Sequence, residues 1–388
     1  MKIKQLKYLF LFVLIPIQIQ AQYEFDCSGY LYAVPSYQLL NNSIDFLYPG
    51  NKIDKNQYSL ATKLRLRPIF HLWDNARIEA AAETQSIFAK SGMFFFSNDQ
   101  IYSRQAIDMN WTLYSKGDVD VTELIDRLFF KQTFDNFEIT LGRQRINWGV
   151  GRVWQPTDRL HPINPANFTK IEKTGADAFS FKYFFGLFTD MEFVVNFREH
   201  INDWNYGMRL RTNFSPFDAS LILGYFDRQP NIGFDLSGSV AGAGVRAEGI
   251  YVYNKDYRDS SYIRFIVGAD YQLTSKIYSL LEFQYNGEGT SCKYCYDVYK
   301  VFSGQMMNMG EYYLAGMINW QIHPLVVLSA NVMQNFNDGS GYISPIFMYS
   351  ALENLSLNLG GLMVYSSKRS EFWYYPKTSI YITAQYFF

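Results

Sequence analysis

The 388 residues carry a formal net charge of -1, with 48% hydrophobic and 18% aromatic residues, the latter led by 31 Tyr and 33 Phe. No segment beyond the N-terminus offers ~18 uninterrupted apolar residues, which excludes spanning helices, and the mean hydropathy is only -0.15. So many Tyr and Phe exceed the needs of a soluble core and suit a membrane β-barrel, with Tyr and Trp at both interfaces and Phe and Leu toward lipid.

The chain opens as a secretory signal. Lys2, Lys4 and Lys7 precede an apolar stretch from Tyr8 to Ile19, and Ile19-Gln20-Ala21 offers a small-residue cleavage site. Residues 1–21 are read as the signal peptide and 22–388 as the mature barrel. Losing three of the 35 basic residues leaves 32 against 36 acidic ones, a mature charge of about -4, which argues against nucleic acid as a partner. Export without a spanning helix leaves a secreted soluble protein or a barrel.

The strand pattern decides for the barrel. A first strand is expected over Glu24 to Val34, then a loop over 35–56. From Gln57 to Pro68, Tyr58, Leu60, Thr62, Leu64 and Leu66 face one way, and Ser59, Ala61, Lys63, Arg65 and Arg67 face the other. Arg77 to Phe88 sets Glu79, Glu83 and Gln85 against Ile78, Ala80 and Ala82. A long loop is read over 89–122. Alternation then turns Arg127, Lys131 and Glu138 inward around the two-residue turn Asp135-Asn136. Further along, Lys182, Arg209, Arg211, Arg246, Glu248, Arg264, Asp270 and Glu282 recur on polar faces. Charges repeated mid-strand need water beside them, and a lumen supplies it. Short turns at Ser215-Pro216-Phe217-Asp218, Thr274-Ser275-Lys276, His323-Pro324 and Glu353-Asn354 alternate with long stretches at 148–176, 289–311 and 368–377. The segmentation predicts an all-β, antiparallel transmembrane barrel of about 18 strands, with 16 as the fallback, blurred only at 229–245. The last strand, Thr378 to Phe388, aligns Ile380, Ile382, Ala384, Tyr386 and Phe388. An amphipathic strand ending in an aromatic residue resembles the signal read by the barrel-assembly machinery, and closure requires it to pair with the first strand.

One stretch, Leu141 to Asn164, reads LGRQRINWGVGRVWQPTDRLHPIN. Its G-R-Q-R strand end and Trp-Gly turn resemble the alginate-export and related substrate-specific porin families, and more nearly their uncharacterised relatives in Bacteroidetes. The motif covers about 25 residues. The resemblance implies a wide barrel with a narrowed pore, but the dense basic lining suited to alginate is missing. By position, 148–176 is the third outward loop, expected to fold inward. Trp148 and Trp154 can anchor it, Pro156, Pro162 and Pro165 stiffen it, and Gly149 and Gly151 allow a bend. Strict alternation from Phe137, Ile139 and Leu141 aims Arg143 and Arg145 at lipid, at ~2–4 kcal/mol each in mid-bilayer. Either both lie above the bilayer or, as the permissive glycine favours, a bulge near Gly142 turns both inward. There Arg143, Arg145, Arg152 and Arg159 either form an anion-contacting constriction or brace the loop on carboxylates such as Asp158, Glu79 or Glu83, and both roles can coexist.

Sites for chemistry are sparse. His71, His161, His200 and His323 fall in loops or turns without ligand spacing, so no metal and no cofactor are expected. No Ser or Asp pairs convincingly with a His for catalysis. Cys292 and Cys295 are read as a local loop disulfide in an oxidising compartment, and Cys27 as unpaired. The Met-rich run Gln305 to Met309 could offer soft-metal ligands, but its apolar residues are rather expected to pack on the loop's Tyr side chains or on a partner. The aromatic tip Phe372-Trp373-Tyr374-Tyr375 can stack on a sugar or pack at the rim. The sequence thus reads as a channel for small hydrophilic, anionic or sugar-like solutes, in contact with the outer-membrane bilayer and the assembly machinery. The alternative is a barrel whose loops bind a partner, and a barrel enzyme is third. Oligomeric state is left open.

Overall fold

The computed structural model describes residues 24–47, 50, 53–89, 105–160, 172–254, 260–302 and 306–388. The expected signal peptide, His161 and Gln305 lie outside the described residues. In chain order the strands are β1 (Glu24–Leu39), β2 (Asn56–Trp73), β3 (Ala76–Ala89), β4 (Asn110–Lys116), β5 (Val119–Thr133), β6 (Phe137–Gln144) and β7 (Ala176–Phe184). There follow β8 (Asp190–Asn196), β9 (Asn205–Phe214), β10 (Phe217–Phe226), β11 (Gln229–Val240), β12 (Ala243–Val252) and β13 (Tyr262–Thr274). The last six are β14 (Ile277–Asn286), β15 (Tyr312–His323), β16 (Val326–Asn335), β17 (Gly341–Leu352), β18 (Leu355–Tyr365) and β19 (Thr378–Phe387). Two short helices, α1 (Ser43–Leu47) and α2 (Val298–Phe302), lie in connections. Among the described residues no helix is long and apolar enough to cross a membrane.

Eighteen strands, β1 to β3 and β5 to β19, form a closed antiparallel ring. Closure comes from β19 pairing with β1, from Tyr30 opposite Phe387 to Leu39 opposite Thr378. That pairing skips Val34 and Pro35, where proline has no N–H to offer a ladder. The strand β4 stands outside the ring. The edge of β5 gives its upper half, Val119 to Leu124, to β4 and its lower half, Leu128 to Thr133, to β6.

The two faces differ as alternation requires. Leu64 and Leu66 are 39% and 40% exposed, while Arg65 between them is 4% exposed. The same contrast holds for Phe234 and Leu236 around buried Asp235, and for Ile380 and Ile382 around buried Tyr381. An exposed apolar belt outside and buried charge inside make a wall for lipid, closed so that no backbone edge meets hydrocarbon.

Three details depart from expectation. The first strand runs on to Leu39 instead of ending at Val34. The pairing passes through Gly142 without a shift on either side. The bulge lies instead on β5, where Asp126 is the extra residue opposite Ala81 and Ala82. Gly142 still matters: its φ is +122°, and a Cβ there would sit 2.3 Å from the Leu128 carbonyl oxygen. The blurred stretch is regular, because Ala241 and Gly242, both with positive φ, make a two-residue hairpin turn between β11 and β12. Connections at that end of the barrel are short. At the other end most are long, but Asp227 and Arg228, also at positive φ, make a two-residue turn there too.

Candidate functional site

Alternation gathers the charged side chains into a ladder of ion pairs around the inner wall. Lys63 and Arg65 meet Glu83 at 3.0 and 3.3 Å, and Arg65 also meets Asp126 on the bulge. Arg67 meets Glu79 at 2.7 Å, and Lys131 meets Glu138 at 2.7 Å. Beyond β7 the pairs are Arg209–Glu192 at 3.2 Å, Arg211–Asp190 at 2.6 Å, Arg246–Asp270, and Arg264–Glu288 at 3.3 Å. Arg127 donates to Asp126 and to the Lys173 carbonyl. A paired base presents less net charge to a passing solute than its residue type suggests.

The segment after β6 leaves the wall. Ile146 and Trp148 pack with Ala178, Val194, Ile222 and Phe226 on β7 to β10. Trp148 Nε1–H donates to Glu192 at 2.9 Å. The backbone then reaches Glu248 on β12 and Glu282 on β14, whose carboxylates accept N–H bonds from residues 150 to 154 and 157. Trp154 packs with Ile266, Tyr313, Met333 and Phe372, which fills that side of the lumen with apolar side chains. Arg159 runs to the rim, with Asp227 at 3.2 Å and the Tyr262 hydroxyl at 3.4 Å. Asp158 pairs with Lys173.

Among the described residues an open space lies on the β2 to β8 side. It is a cavity of about 440 Å³. Six bases line it (Arg65, Arg67, Arg77, Arg127, Lys131 and Arg145) against four acids, Glu79, Glu138, Glu172 and Glu192. Arg145 is exposed there, and among the described residues its side chain donates to the Asn147 side chain at 3.4 Å. Among the described residues it has no carboxylate partner. Arg67 and Arg77 share one carboxylate, Glu79, with Arg77 as far as 3.9 Å from it.

Arg143 is not in this cavity. Its register partners Leu128 and Asp177 place it on the outer face, as strict alternation requires. It is nevertheless 1% exposed, because residues 105–107 cover it. Its guanidinium donates to Asp177 at 2.7 and 3.0 Å and to the carbonyls of Ile125 and Ile107. Asp177 in turn accepts the N–H groups of Ala106 and Ile107. Arg143 therefore plugs the seam where β5 changes partner from β4 to β6. The expected bulge that would turn it inward is absent, and the expected braces to Asp158, Glu79 or Glu83 are replaced by Asp177. Arg152 is exposed, and its backbone N–H donates to Glu282 at 2.8 Å.

Outside the lumen, Cys292 and Cys295 are joined by a disulfide and Cys27 is exposed and free. Met306 and Met309 pack with Val301, Trp373 and Tyr374, beneath Phe46 of α1. The Phe372 to Tyr374 tip is buried in this cap, so its rings are not offered to a sugar. At its centre, Glu371 accepts from Met309 N–H at 3.0 Å, Asn335 Nδ2 at 2.7 Å and the Tyr313 hydroxyl. Burial pushes the Glu371 carboxyl up to about 7, against those donors and with the help of nearby Asp338. No cluster of three metal-ligating side chains occurs among the described residues. Sequence reasoning missed Arg77, Asp126, Glu172, Glu192 and Glu371. Arg77 and Glu192 lay within reach of the alternation argument, whereas Asp126 is the extra residue of a bulge and Glu172 and Glu371 sit in connections that have no period.

No protein-family model and no curated protein matches the chain. Solved structures do. OccK9 (OpdG) of Pseudomonas aeruginosa superposes with a TM-score of 0.59 at 11% identity, over 94% of this chain and 98% of that one. OccD3 (OpdP) of the same organism gives 0.56 at 9% identity, over 93% and 91%. The outer membrane protein opdK, also from P. aeruginosa, gives 0.55 at 9% identity, over 94% and 98%. At such identities the likeness is one of fold, extending over nearly the whole of this eighteen-stranded chain.

Proposed function

We propose that the chain is an outer-membrane channel for passive diffusion of small hydrophilic solutes, with a modest preference for anionic or sugar-like ones. One observation carries the reading. A polar cavity of about 440 Å³ lies inside a lipid-facing barrel, lined by six bases and four acids, with Arg145 free of any carboxylate among the described residues. Charge held open to water inside an apolar wall suits transport, and the local lining sets ion preference whatever the chain's net charge. The outer-membrane location rests on the barrel's apolar belt and on the likeness to opdK, which is named an outer membrane protein. Residues 1–21 would direct export, and Tyr386 and Phe388 would serve the barrel-assembly machinery.

The rival reading, a barrel that binds a partner through its loops, draws on the packed cap around Glu371 and the apolar filling about Trp154. Purified protein in planar bilayers separates the two. Discrete conductance steps, with a reversal potential favouring anions under a salt gradient, are expected. A barrel that inserts but carries no current sinks the channel reading and favours the partner role.

A further inference from the structure

We infer that Glu248 and Glu282 are positioning residues that set the width of the passage, by seating the segment 148–157 against the far wall through its own backbone N–H groups. The inference rests on the channel reading and adds what fixes the pore's dimension.

The geometry is specific. Oε2 of Glu248 accepts from the N–H of Val150 at 2.7 Å and of Gly151 at 3.0 Å. Its Oε1 accepts from both the N–H and the hydroxyl of Thr157, each at 2.7 Å. Glu282 takes Arg152 N–H at 2.8 Å on Oε2, and Val153 and Trp154 N–H at 3.0 and 2.8 Å on Oε1. Two carboxylates therefore satisfy six backbone donors and one hydroxyl, and both glutamates are 0% exposed. The segment has no strand or helix bonds of its own, so these donors have no alternative but water. Successive N–H groups wrapped around an anion form a nest. Here the anion belongs to the protein.

The segment is shaped for its guest. A Cβ on Gly149 would lie 2.7 Å from Glu248 Oε1, and one on Gly151 would lie 1.8 Å from the Trp154 carbonyl oxygen. The Trp148-Gly149-Val150-Gly151 turn is thus the receptor for Glu248. In the ring, β12 and β14 lie six and eight strands beyond β6, where the segment starts. The anchors are nearly opposite its root, so the latch divides the lumen. Neither glutamate lines the 440 Å³ cavity. Their effect on transport runs through the loop they hold and not through their charge.

That separation defines the test. E248Q, E282Q and the double variant replace one acceptor oxygen with an NH2 group facing N–H donors. G151A attacks the same latch from the loop side and leaves the wall untouched, which covers the case of a glutamine variant that fails to insert. Two readouts are taken on heat-modifiable, membrane-inserted protein: single-channel conductance with reversal potential, and amide hydrogen exchange over 150–157. The expected result is lost protection at 150–154 and 157, conductance raised roughly twofold or more as the passage widens, and unchanged ion preference. Protection equal to wild type overturns the latch. Protection lost with conductance unchanged overturns its control of width. A shift in ion preference without a change in conductance assigns the glutamates to the lining and overturns the proposal. A wild-type barrel that carries no current defeats the channel reading itself, and the exchange data then stand apart from it.

Discussion

Arg145→Glu is the sharpest probe of the lining. The substitution changes six bases and four acids into five and five, and it acts on the one lining base with no carboxylate partner among the described residues. For a solute charge passing ~6 Å away in water, one unit charge contributes about 0.7 kcal/mol unscreened. A Debye length of about 10 Å at 0.1 M salt reduces this to ~0.4 kcal/mol. Reversal changes the charge by two, so an anion loses ~0.8 kcal/mol and a cation gains as much. The anion-to-cation permeability ratio should fall by about tenfold at 0.1 M. At 1 M the screening length is about 3 Å, and the same arithmetic leaves about twofold. Reversal potentials under salt gradients, at both ionic strengths, give the ratio directly. Conductance should change little, because Arg145 is exposed and pairs with no carboxylate among the described residues. A ratio unmoved at 0.1 M would place the ion path elsewhere in the lumen and refute the assignment.

Other perturbations test separate parts of the molecule. Arg143→Ala should leave ion preference intact but lower the barrel's resistance to denaturant by about 3–5 kcal/mol, since it strands buried Asp177 and two carbonyls at the seam; urea titration followed by gel mobility measures this, and loss of anion preference would return Arg143 to the pore. The cap should respond to pH. Glu371 ionises near 7 when folded and in the ordinary carboxylate range when the cap is open, so the folded cap binds the proton more tightly. Its stabilising contribution is therefore full below about pH 4.5 and is lost as pH rises through about 7. Amide protection at 306–310 and 370–374 should be greater at pH 5 than at pH 8, and E371Q should flatten the difference; equal protection at both pH values would remove Glu371 from this role. Phe388→Asp should reduce the yield of inserted barrel more than the same change at Phe336, an exposed residue beyond the end of β16; equal heat-modifiable yields would show that the terminal aromatic carries no assembly signal.

Much of the wall was legible because its two faces meet different solvents. Lys63, Arg65 and Arg67 alternate with Leu64 and Leu66, and no filled core could accept that pattern. Arg143 shows where the argument stops. Alternation placed it outward, and the cost of that position invited a bulge. The actual solution comes from residues 105–107, distant in sequence, which bring the covering backbone and use the same Asp177. Glu248 shows a second limit. Period two assigns a residue to a face but does not say what occupies the space before it, so a loop anchor reads as a pore charge. The motif around Trp148 was visible as a rigid turn, whereas its guest lies some hundred residues further on. Glu371 left no trace, because a carboxyl in an aperiodic loop looks solvated until Met309, Tyr313 and Asn335 are brought against it.

The closure between β1 and β19 has a consequence for the order of assembly. Neighbouring strands elsewhere are joined by their own turns or loops and can zip as hairpins. The edge of β1 that faces β19 has its partner at the other end of the sequence, so it must wait until every intervening strand is in register. Throughout that interval it offers unpaired N–H and C=O groups beside exposed Phe25 and Leu31, a template for stray strands. Such a long-range final contact makes folding slow, and it exposes the chain to aggregation at the stage when its apolar belt has not yet found lipid. Shielding that edge until the ring closes would protect a chain with this topology.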